Sequence, residues 1–148
     1  MNKFFLIQIF LLFSVGIYSQ NWLSDINDAK KMATNEHKPI ILVFQGSDWC
    51  APCMKLEKEI WSNEQFKNYA ADHYVLLKAD FPKRKQNALS KEQQGKNNLL
   101  AETYNKQGFF PYVVVLNSDG RVIGSTGYKD ISCQDYINHL NAIIKEKP

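Results

Sequence analysis

Apolar and polar positions along this chain fall into runs whose period changes repeatedly between helical and extended. Trp22, Leu23, Ile26, Ala29, Met32 and Ala33 recur near a 3.6-residue spacing with charges between them, which predicts a helix beginning near Ser24 and ended by Asn35 to Pro39. The unbroken apolar run Ile40 to Phe44 predicts a fully buried strand reaching Gln45. Beyond Ala51 the pattern is helical again, with Met54, Leu56 and Ile60 inward and Lys55, Glu57, Lys58 and Glu59 outward. Ser62-Asn63-Glu64-Gln65 reads as a capping box that restarts a short helix through Ala71, and Tyr74 to Asp80 reads as a second strand. A strand, helix and strand in this order predict a parallel right-handed crossover. Its topology puts the end of the first strand at the sheet edge where open α/β sheets bind ligands.

Residues Phe81 to Asn98 are polar, and the basic run Lys83-Arg84-Lys85 within them reads as a solvated loop. Ser90-Lys91-Glu92-Gln93 is another capping box, opening a helix from about Lys91 to Lys106 that would bury Leu99, Leu100 and Tyr104. Tyr112 to Leu116 and Arg121 to Ser125 read as two strands joined by the turn Asn117-Ser118-Asp119-Gly120. A last helix starts within Ser132 to Asp135 and turns Tyr136, Ile137, Leu140, Ile143 and Ile144 inward. The order is helix, β, α, β, α, β, β, α, an α/β chain without internal repeats or low-complexity tracts.

The N-terminus changes the picture of where the chain works. Lys3 gives a positive start, Phe4 to Tyr18 form an apolar stretch interrupted by Gln8 and Ser14, and Ser19 is a small residue suited to cleavage. This is the composition of a secretory signal peptide, although Ile17 is a poor fit three residues before the cut. We expect residues 1–20 to be the signal, cut after Ser19 or Gln20, and residues 21–148 to form one domain. An uncleaved anchor is the alternative, but the stretch falls short of the roughly 20 apolar residues needed to span a bilayer. Loss of Lys3 lowers the formal net charge of +3 by one, too little to predict a nucleic-acid or membrane partner.

Cys50 and Cys53 stand two residues apart where the first strand gives way to a helix. On a first helical turn that spacing brings the sulfurs within bonding reach. Unpaired N–H groups and the helix dipole favour a thiolate at Cys50, while Cys53, one turn further in, should be more covered. Pro52 is tolerated early in a helix because the N–H it lacks has no intrahelical partner there. A thiol–disulfide redox pair is the leading reading. Zinc would need two more ligands, and Cys133, His37, His73 and His139 offer none at ligand-pair spacing. Haem attachment would need His after the second cysteine, where Met54 stands. A purely structural disulfide stays open, although so small a loop constrains the unfolded chain little. Cys133 reads as a buried structural thiol, with a regulatory or intermolecular role as the alternative.

The stretch from Lys38-Pro39 through Asp48-Trp49-Cys50-Ala51-Pro52-Cys53 resembles the active-site region of the thioredoxin superfamily, whose usual motif is Trp-Cys-Gly-Pro-Cys, and in particular its exported members with Ser-Asp-Trp-Cys. The resemblance covers roughly residues 22 to 146. It implies a thioredoxin-like α/β fold: a central mixed four-stranded sheet with the last hairpin antiparallel to the first pair, flanked by helices, with an additional N-terminal helix. It implies catalysis by Cys50 and Cys53, and substrate contacts from Trp49, Ala51, Pro52, Phe110 and Pro111. Pro111 matches by position the family's cis-proline, which would expose backbone groups to an extended substrate segment. A proline that merely starts a strand in trans is the alternative.

Two positions depart from the family pattern. Ala51 replaces the usual glycine, in a dipeptide that tunes redox potential. Phe44, six residues before Cys50, replaces a buried aspartate that helps move the inner thiol's proton, so Cys53 must use water or another base. Lys78, aligned with a lysine near that aspartate, is expected to lack its partner and reach solvent, and Asp48 reads as a solvated loop acid. The resemblance implies an exported, periplasmic-type thiol–disulfide oxidoreductase, leaning to reductase, with no metal or organic cofactor. Its expected partners are disulfide-containing protein substrates and a dithiol electron donor or acceptor protein. Nucleic acid and stable membrane insertion are not expected, and the protein is expected to be a monomer. The rival is a thioredoxin-fold peptide-binding or chaperone-like module with little redox turnover.

Overall fold

In the computed structural model, which describes residues 20–146, the apolar run becomes β2 (Ile40–Gln45), buried at all six positions. Burial on both faces requires apolar layers on both sides, and β2 accordingly sits in the middle of the sheet. Its neighbours are β3 (Val75–Asp80), parallel, and β4 (Tyr112–Leu116), antiparallel. β5 (Val122–Thr126) closes the hairpin on β4 with a register shift at Val115/Leu116. Of the expected signal, residues 1–20, all but Gln20 lies outside the described residues.

The sheet has five strands, one more than the sequence predicts, in the order β1-β3-β2-β4-β5. The addition is β1 (Trp22–Leu23), which pairs in parallel with Leu76 and Leu77 of β3. Two residues carry no measurable period, so no strand is predicted there. The helix expected to begin near Ser24, α1 (Ile26–Glu36), starts two residues later, where the Asp25 carboxylate accepts from the Asn27 N–H at 2.8 Å.

Between β2 and β3 lie α2 (Ala51–Leu56), a π-helical turn over Glu57–Trp61, and α3 (Glu64–His73). The inward stripe is Cys53 and Leu56 of α2 and Ile60 of the π turn, and Met54, expected inside, is exposed because it lies about 100° around the helix from Cys53. The wider π turn carries Trp61 into the core against Trp22, Phe66 and Tyr136. α3 is capped by Asn63, whose side chain accepts from Gln65 N–H at 2.9 Å, whereas Ser62, expected in that role, donates to Glu57.

After β3 a loop with one 3₁₀ turn (Lys85–Asn87) leads to α4 (Lys91–Tyr104), capped by Ser90 as the sequence predicts. Leu100 is buried, but Leu99, expected beside it, is exposed, because one residue's rotation takes it off the inward face. α5 (Cys133–Lys145) is capped by Ser132 and buries Tyr136, Ile137 and Leu140. Two apolar layers result. Ile41, Val43, Val113 and Val115 pack with Leu56, Ile60, Phe66 and α5 on one face, while Ile40, Leu42, Phe44 and Val114 pack with α1 and Leu100 on the other.

Candidate active site

β2 ends at Gln45, and Gly46 starts the turn that presents the next four residues. A side chain cannot be added at Gly46, since a Cβ there would lie 2.2 Å from Cε2 of the Trp49 indole, which rests on its backbone. The Cys50 N–H donates to Gly46 O at 2.9 Å, and Cys50 takes an extended conformation (φ −94°, ψ 102°) as the N-cap of α2. Its Sγ accepts from the Cys53 N–H at 3.3 Å, one of the donors a helix start leaves unpaired. Pro52 follows within the first turn, where its missing N–H costs nothing.

Cys50 and Cys53 are joined by a disulfide, with Cα atoms 5.2 Å apart. Both residues are buried, Cys53 the more so, and Gly46 N–H points at Cys53 Sγ from 3.5 Å. Ala51 and Pro52 are exposed between them. Trp49 stacks edge-on to Phe110 with centroids 5.4 Å apart, so the sequence-predicted residues from two distant segments meet. Pro111 follows Phe110 through a cis peptide bond and leads into β4.

The structure adds residues that the sequence reading assigned elsewhere. Asp48 is not a solvated loop acid: its Oδ1 accepts from the Lys83 N–H and its Oδ2 from the Arg84 N–H and the Asn87 side-chain amide, each at 2.9 Å. The Lys83 amide first, then the Asn87 amide and the Arg84 amide, hold its carboxyl well below the ordinary range, at about 2. The Trp49 indole N–H donates to Phe81 O at 2.7 Å, Ser47 donates through N and Oγ to Asp80, and Phe81 packs edge-on to Phe110. Lys83 Nζ lies 4.0 Å from the centre of the Trp49 ring. These hydrogen-bond partners are more than thirty residues away in sequence, so no local signal could have revealed them.

Lys78 corrects another expectation. It is not left without a partner: Nζ is 3.1 Å from Glu57 Oε2 and 4.5 Å from the centre of the Trp22 ring. The π turn brings Glu57 there, and Glu57, Gln45, Ser47, Met54 and Cys53 line a hollow of about 350 Å³ beside Cys53. Phe44 is fully buried on the opposite sheet face, stacked on Tyr112. Cys133 is half-buried against the apolar layer that contains α5, and burial pushes its thiol pKa up. Among the described residues no three His, Cys, Asp or Glu side chains gather as metal ligands.

Comparison with known proteins places this geometry in context. A family model described as thioredoxin-like matches residues 21–118. A Chlamydia pneumoniae protein named disulfide bond reductase DsbH is 31% identical over 118 residues, covering 80% of this chain and 69% of that protein. A solved DsbH oxidoreductase structure superposes with a TM-score of 0.79 at 29% identity over 87% of each chain. A disulphide isomerase from Xylella fastidiosa gives a TM-score of 0.59 at 27% identity, over 78% of this chain and 88% of that one.

Proposed function

The chain belongs to the thioredoxin-like family and is a thiol–disulfide oxidoreductase, and from that premise we propose that it works as a reductase of protein disulfides, with Cys50 attacking and Cys53 resolving. The observation that carries the assignment of roles is the disulfide itself: it closes at the start of α2 with Cys50 as the cap and Cys53 one turn deeper. The outer sulfur already accepts a helix-start N–H, the kind of contact that stabilises a thiolate.

In the reducing direction the Cys50 thiolate attacks one sulfur of the substrate disulfide, breaking that bond and forming a mixed disulfide. The departing substrate thiolate takes a proton from solvent. Cys53, as a thiolate, then attacks Cys50 Sγ and expels the second substrate sulfur. Two electrons have passed to the substrate, and a dithiol donor protein returns them to the Cys50–Cys53 disulfide. No metal or organic cofactor enters the cycle. Trp49, Ala51, Pro52 and Phe110 shape the surface that meets the substrate, and Pro111 exposes its neighbouring backbone to an extended segment of it.

The direction is supported by the likeness to a protein named disulfide bond reductase, and export by the composition of residues 1–20. We assign the mature protein to the periplasm or another exported compartment, as a monomer. An insulin-reduction assay with dithiothreitol tests the function: wild type accelerates the reaction, and Cys50→Ser abolishes the acceleration. Cys53→Ser should instead stall as a mixed disulfide with its substrate. Retained peptide binding with no turnover by wild type would favour a peptide-binding module.

A further inference from the structure

The run Lys83-Arg84-Lys85 is exposed, contains no acid, and is fastened to the active-site turn by the Asp48 carboxylate, while the Trp49 indole N–H holds the Phe81 carbonyl just before it. Resting on the redox reading of Cys50 and Cys53, we propose that this run is a specificity element selecting disulfide-bearing polypeptides with acidic residues beside the cystine. The loop shares one wall with the redox pair. Phe81 and Trp49 both pack on Phe110, and Lys83 spreads its ammonium over the ring of the residue that precedes Cys50.

The charge balance around the disulfide decides the sign of the partner. Acidic groups near the site are already engaged: Asp48 by the loop amides, Asp80 by Ser47 and the Phe81 N–H, Glu57 by Lys78, and Glu59 by the Tyr128 hydroxyl. None of Lys83, Arg84 and Lys85 takes part in an ion pair among the described residues, nor does Lys58, which lines the hollow beside Cys53. Asp48, Asp80 and Glu59 are held by neutral donors and keep their negative charge, Asp48 within the field of Arg84, so Lys58, Lys83, Arg84 and Lys85 together leave a modest excess of positive charge around the disulfide. A rim of this kind raises the encounter rate of an oppositely charged segment and loses its effect in salt.

The test uses the mature protein, reduced and freed of reductant, in single-turnover exchange with three cystine peptides that differ only in flanking residues: three Glu, three Gln or three Lys. At low salt the Glu peptide should react about tenfold faster than the Lys peptide, a size typical of steering by a few charges. The ratio should collapse towards one in 0.5 M NaCl. In the K83E/R84E/K85E variant the order should invert; Asp48 holds main-chain nitrogens, so the loop keeps its anchor. Equal rates for the Glu and Lys peptides, or a ratio indifferent to both salt and charge reversal, overturn the proposal. If the variant fails to fold, the salt series on wild type still decides. Should wild type exchange with none of the three peptides, including the neutral one, the redox reading fails and takes the proposal with it; exchange with the Gln peptide alongside equal Glu and Lys rates removes only the proposal.

Discussion

Asp48 illustrates how one side chain can be structural and still govern a reactive neighbourhood. Its carboxylate ties two segments that are far apart in sequence, and the Lys83, Asn87 and Arg84 donors favour its ionised form. Because the folded-state pKa is depressed, to about 2 against the ordinary 3.8, its contribution to stability is complete above the unfolded value and disappears as pH falls through the folded one. The stability difference between wild type and Asp48→Asn, followed by urea unfolding, should be constant from about pH 5 to 7 and shrink between about pH 4 and 2. A difference that grows on acidification would contradict the bonding described. Such a role is invisible in sequence, where an acid between Ser47 and Trp49 looks like any other turn residue. The cysteines were legible for the opposite reason, since two thiols at that spacing admit few other uses.

At the scale of elements, the segments that announced themselves were those whose partners are local. Ser90 and Ser132 cap the helices that the sequence assigned them, and the runs at Ile40 and Tyr112 are strands over the residues expected. Met54 and Leu99 misled because each neighbours a buried residue, and periodicity alone cannot fix a helix's rotation to within one position. The π turn further shifts the phase of the stripe after Leu56, which hid Trp61 and the Glu57–Lys78 pair. Asn97 is a further case: it is buried within α4 and donates from Nδ2 to Asp80 O at 2.8 Å, fastening that helix to the end of β3. Asn97→Ala leaves that carbonyl without its partner, and urea unfolding should show a loss of about 1–3 kcal/mol. The same residue in sequence merely weakens a helix prediction.

Across the whole molecule, two apolar layers sandwich a sheet whose first edge is a strand of two residues. That edge is held less by its ladder than by Trp22, which meets Trp61 edge-on at 5.6 Å and lies under the Lys78 ammonium. Trp22→Ala should therefore destabilise the protein by about 3 kcal/mol, the lower end for aromatic truncation because Trp22 is only half-buried. Thermal unfolding of wild type and variant checks it, and an unchanged midpoint would mean that the edge strand contributes nothing. The overall α/β order was readable because strand and helix periods differ so clearly, whereas the fifth strand emerged only from tertiary pairing.

The fastening of the basic loop bears on how this protein can diverge. Asp48 grips peptide nitrogens, which every amino acid except proline supplies. The side chains at positions 83 to 85 are thus free to drift by point substitution without unseating the segment that carries them. A lineage can retune which clients its members greet while inheriting the same electron-transfer machinery unchanged.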